Sequence, residues 1–188
     1  MTVFTLTCAV LSLAAAGGQA PAIVAAPPLL PPATRLEGFS PSPGTLMTIG
    51  YDRLGGVQGV FVEVREMQDA RGGLASGLVL TVSDDDAHGR EESYVDADEI
   101  PALIKGVDAL LEVSRNPTSF DNYEVHYTTR GELLLSALST RNGGVVYGIR
   151  AGRLAKAQRA GLTVGEMLKL RSLFEAAEQK LHAVLAGK

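Results

Sequence analysis

Three groups of side chains are of the types that metal, acid/base or anion chemistry needs. The run Asp84-Asp85-Asp86-Ala87-His88-Gly89, with Glu91 and Glu92 close behind, offers oxygens to a hard cation. Such loops alternate their ligands around a tight glycine turn. Three consecutive aspartates splay apart instead, so the run reads as a solvated turn and no metal site is expected. Asp96, Asp98 and Glu99 have the types of a glycosidase acid/base pair. Their place just ahead of an apolar helical run accounts for them as helix-start residues favoured by the macrodipole. His88, His126 and His182 fall on a turn, a strand and a helix, and no His-x-x-x-His pair, Gly-x-Ser-x-Gly elbow or phosphate-cradling glycine loop accompanies them. No catalytic residue and no cofactor is assigned. The least poor catalytic grouping is His126, Tyr127, Arg130 and Glu132 around one hairpin, although consecutive strand residues face opposite ways.

Charge layout is more informative. Residues 35–113 hold 15 acidic against 6 basic side chains, whereas 114–188 hold 6 acidic against 11 basic. Between Leu133 and Gly165 there is no acid, while Arg141, Arg150, Arg153, Lys156 and Arg159 stand there as a candidate anion-binding set. Such a tract can steer a polyanion or anionic lipid headgroups. It can equally face the acidic half of the same molecule or of a neighbour, which is the favoured reading.

The elements that must position these residues occur twice. Alternation predicts strands over 45–51 (Met47, Ile49 and Tyr51 on one face), 57–66, 78–83 and 90–95. A helix with Ile100, Leu103, Ile104, Val107, Leu110 and Leu111 on one face follows. Strands over 121–129, 132–140, 145–151 and 154–160 then lead to a second helix from Thr163, striped by Met167, Leu170, Phe174, Ala177, Leu181 and Val184. At each strand-to-helix junction an oxygen-bearing residue stands three before a glutamate, Asp96 with Glu99 and Thr163 with Glu166, which is the spacing of a capping box. Pro101 argues for a first helix starting near Asp98, or for a distorted first turn that uses Asp96. The expected class is α+β: two strand-rich repeats, about 45–114 and 120–186, each ending in an amphipathic helix, with antiparallel sheet packed by the two helices in one domain over 45–187. Whether the repeats share one sheet or form two is left open.

The first 34 residues carry no charge. An apolar run over 3–16 ending in small residues reads as a secretory signal peptide over 1–20, too short to span a bilayer. The only cysteine, Cys8, lies within it, so a mature chain would have no thiol for a disulfide, a metal or nucleophilic attack. Residues 21–44, with Pro27-Pro28 and Pro31-Pro32, read as a semi-rigid linker. The composition is 46% hydrophobic but only 5% aromatic, with no Trp, which calls for an aliphatic core and argues against a stacking platform for bases or sugars.

The run Ser93-Tyr94-Val95-Asp96-Ala97-Asp98-Glu99-Ile100, then Leu103-Ile104-Lys105 and Tyr127-Thr128-Thr129-Arg130-Gly131, resembles an uncharacterised family of bacterial exported proteins. Four strands and a helix, twice over, is similar in topology to the Whirly single-stranded-DNA-binding family, a likeness that bears on architecture alone. The leading expectation is an exported, periplasmic or extracellular, non-catalytic domain that binds or scaffolds an unidentified ligand, either a protein partner or a polyanion. A polyanion binder using the basic tract is the second, and an enzyme with a dispersed site the third.

Overall fold

The backbone alternates as the two repeats require, and the result is two separate antiparallel sheets. A computed structural model describes residues 31–39, 44–83, 89–113, 117–153 and 158–187, without the side chains of Gln158 and Arg159. The leader expected over 1–20, most of the expected linker, the acidic run at 84–88 and Lys156 lie outside the described residues. The first sheet is a meander of β1 (Met47–Val57), β2 (Val60–Asp69), β3 (Leu74–Ser83) and β4 (Arg90–Asp96), in that order. The second repeats the plan with β5 (Glu124–Thr128), β6 (Leu134–Ser139), β7 (Val145–Ala151) and β8 (Gln158–Leu162). The class is α+β, as expected.

Helix α2 (Ile100–Leu111) follows the first sheet and α3 (Val164–Ala186) the second, and each packs across onto the other repeat's sheet. Helix α3 lies on β1, β2 and β3, α2 lies on β5 and β6, and the helices touch each other. Both repeats therefore fill one aliphatic core, in which Val62, Leu80, Leu103, Leu135, Ile149 and Phe174 are all buried. Neither half can bury its apolar face alone, which makes them one domain. Arg171 of α3 pairs with Asp108 of α2, and Lys180 of α3 pairs with Asp52 of β1. No described helix is long and apolar enough to cross a membrane.

Several expectations change. The strand expected over 57–66 is broken by a two-residue turn, Gln58 and Gly59, both at positive φ, so that Val57 closes β1. Strand β3 starts at Leu74 and β8 at Gln158, the one earlier and the other later than alternation suggested. In β1, Ile49 and Tyr51 are 43% and 69% exposed, so the face shared with Met47 is not a core face. The core-directed side of that strand carries Gly50, Asp52 and Leu54 instead. The linker ends sooner than 44: Thr34 and Glu37 close a capping box on a short helix, α1 (Arg35–Gly38). Its Leu36, 1% exposed, sits on Met67 and Ala75. Phe39 packs beside it, and two apolar residues after a run of prolines are too short a signal for periodicity to detect.

Candidate functional site

The acidic residues singled out above tie the chain together. Between β4 and α2 a 3-10 turn (Ala97–Glu99) follows Asp96. The first turn is therefore distorted, and Pro101 falls at the helix start without cost. The capping box expected of Asp96 and Glu99 does not form. The Asp96 carboxylate, 2% exposed, accepts from the backbone N–H groups of Arg35 (3.0 Å) and Leu36 (3.2 Å) and so anchors α1. Glu99 accepts from the Arg130 N–H (2.8 Å) and Nε (3.2 Å). Asp98 accepts from the guanidinium groups of Arg130 and Arg35, both at 2.9 Å. The Arg130 bond, with Arg35 assisting, holds its carboxyl below the usual carboxylate range. Gly131, next along the β5–β6 turn, lies so close to β4 that a Cβ there would stand 2.0 Å from the Tyr94 carbonyl oxygen. The runs around Asp96 and Arg130 thus meet in space as a structural clasp.

The four residues of the catalytic grouping go to separate places. Arg130 is held by Asp98 and Glu99. Glu132 pairs with Arg153 (3.2 Å), which also reaches Glu37 of α1 (3.3 Å) and donates to the Pro31 carbonyl. His126 lies on the exposed side of β5 beside Glu124 (3.1 Å). Tyr127 points the other way, its ring against α2 where Gly106 leaves room, and burial pushes its phenol up. Among the described residues no three metal-ligating side chains converge. A cleft of about 410 Å³ gathers Arg35, Asp98, Glu178 and His182 beside Leu74 and Leu185, but Arg35 and Asp98 are already spent on the clasp.

The two sheets differ most on the sides turned away from the helices. On the first, α1 covers Met67 and Ala75. Beyond it Arg65 lies along Glu63 (2.7 Å) and near Glu92 (3.7 Å), and the Tyr94 hydroxyl donates to Glu92 (2.9 Å). Burial first, then Glu92, pushes the Tyr94 phenol up to about 12. This lattice is why Val79 and Thr81 are buried although they point away from the core. On the second sheet no described helix packs on the corresponding side, and His126, Val146 and Arg150 stand there. Arg150 is half-buried, its Nε is buried, and it finds no partner among the described residues. The β7–β8 register sets Arg159 directly opposite it.

The basic tract therefore divides. Arg153 is held by Glu37 and Glu132, Arg141 is exposed in the β6–β7 turn, and Arg150 stands on the open side of the second sheet with Arg159 opposite it in the backbone register. Sequence reasoning found the cations but not the division, which depends on Glu37 and Glu132 arriving from distant segments. No family model matches this sequence, and no curated protein matches it.

Proposed function

We propose that this chain is an exported, non-catalytic binding domain whose open second-sheet face takes a partner rich in acidic groups, a polyanion. One observation carries the reading: the buried Nε of Arg150 has no hydrogen-bond partner among the described residues, and Arg159 lies across the ladder. Like charges directly opposite in a sheet repel, and an anion bridging them turns that cost into binding. Arg130 and Arg153, by contrast, are fully engaged with carboxylates. Export rests on the uncharged apolar run over 3–16 and the prolines after it. The mass of the chain purified from its native host tests export, since a removed leader shortens it.

Titration with heparin, single-stranded nucleic acid and anionic vesicles tests the binding and distinguishes the sources of the anion. Affinity for at least one should fall steeply with salt, as counterion release demands. Arg150→Ala with Arg159→Ala should weaken it by about tenfold or more, while Arg71→Ala, on an exposed turn of the first sheet, should not. Unchanged affinity in the double variant defeats the reading.

A further inference from the structure

Among the described residues no strand pairs with the outer edge of β1. Ala70 donates its N–H to the Leu46 carbonyl, and the antiparallel register continues from there, Met47 opposite Asp69 and Thr48 opposite Gln68. The even residues of the strand therefore bond to β2, and Met47, Ile49 and Tyr51 turn their N–H and C=O groups outward. Folded chains guard such rows with charge, proline or a bulge. In β1 those guards are confined to its second half, where Asp52 and Arg53 precede a bulge between Arg53 and Gly55. From Gly44 to Tyr51 there is no charge, and Leu46, Ile49 and Tyr51 are all exposed, Leu46 by 75%.

We propose that two copies of this chain pair antiparallel along this edge about a two-fold axis at Gly50, joining their first sheets into one eight-stranded sheet. The strand is self-complementary in that register. Ile49 falls opposite Tyr51 of the second copy, Met47 opposite Arg53 and Thr48 opposite Asp52, so aliphatic meets aromatic and no like charges face each other. At the axis two glycines meet, and a Cβ on Gly50 would touch nothing within 4 Å in the single chain. The seven residues Met47–Arg53 bury less than a standard interface, so the dimer is weak and dissociates on dilution.

Sedimentation equilibrium on the whole chain tests this, with a concentration-dependent monomer–dimer equilibrium expected. Ile49→Pro removes an outward donor and leaves the bonds to β2 in place, so it should weaken dimerisation about tenfold. Phe120→Lys, at an apolar residue as exposed as Leu46 but away from the edge, should change nothing. A second readout is independent of that variant's stability. Facing residues of a narrow antiparallel pair have Cα atoms about 4.5 Å apart, within disulfide reach. Gly50→Cys in a Cys8→Ser chain should therefore give a covalent dimer on mild oxidation. A monomer at every concentration, a dimer indifferent to Ile49→Pro, or a cysteine variant that fails to cross-link overturns the proposal.

Discussion

At the junction before α3, Thr163 and Glu166 form a reciprocal box: the Thr163 hydroxyl accepts from the Glu166 N–H, and the Glu166 carboxylate accepts from the Thr163 N–H at 2.7 Å. At the junction before α2, Asp96 and Glu99 stand at the same spacing and make no such bonds. There the carboxylates are drawn outward, Asp96 to α1 and Glu99 to Arg130. Local spacing permits a cap. Whether the cap forms depends on which donors the rest of the chain brings nearby. A carboxylate gains more from two buried backbone donors or a guanidinium fork than from one helix-end N–H. The first junction thus gave up a local cap to hold α1 and the β5–β6 turn in place.

The sharpest way to break this comparison is at Asp96. Asp96→Ala leaves the Arg35 and Leu36 N–H groups without an acceptor in a buried setting and should cost about 3 kcal/mol. Asp96→Asn keeps one acceptor oxygen and should cost less. Urea unfolding measures both, and hydrogen exchange should show amides of 35–38 losing protection first. If Asp96→Ala is no worse than a surface substitution, the clasp is ornamental.

Thr163→Ala probes the second junction and should cost about 1 kcal/mol, the usual worth of a threonine cap, with Thr163→Ser close to neutral. The loss stays local: the first turn of α3 frays while α1 keeps its protection. A Thr163→Ala variant that released α1 would erase the distinction between the junctions.

Much of this architecture was legible because it is periodic. The stripe from Met167 to Leu181 is buried as its spacing requires, although its last expected member, Val184, is exposed where the helix runs past the core, and Val145–Ala151 forms the strand that alternation predicts. Other features were not. Leu36 and Phe39 give α1 its apolar contact, with no repeat around them to be read. Ile49 and Tyr51 alternate like core residues but lie on an edge strand, and hydrophobicity alone does not say which side of a strand is covered. The fates of Arg150 and Arg153, three positions apart, diverge through Glu37 and Glu132, whose proximity is a property of the assembled sheets. The open face of the second sheet was half-visible as a basic tract. Its opposite, the lattice of Glu63, Arg65, Glu92 and Tyr94, left no mark in the sequence, because charged residues alternating along an exposed strand look the same whether or not they interlock.

The smallest effect separates the junctions by the physics of their bonds. Asp98 and Glu166 both have carboxyl groups held below the usual carboxylate range. A group depressed on folding stabilises the fold fully above its unfolded value of about 4, and the contribution disappears as pH falls through the lower folded value, because the unfolded chain takes up the proton first. Stability should therefore decline below about pH 4.5, and Asp98→Asn and Glu166→Gln should each flatten part of that decline. Salt should tell them apart. Asp98 is held by the guanidinium groups of Arg130 and Arg35, a full-charge attraction at an exposed site that is largely screened at about 1 M salt. Glu166 is held by the backbone N–H and the hydroxyl of Thr163, contacts that salt barely reaches. In paired acid titrations of unfolding at low and high salt, the difference between wild type and Asp98→Asn should shrink with salt, while that between wild type and Glu166→Gln persists. Equal salt responses would mean that both carboxylates are held by the same kind of bond.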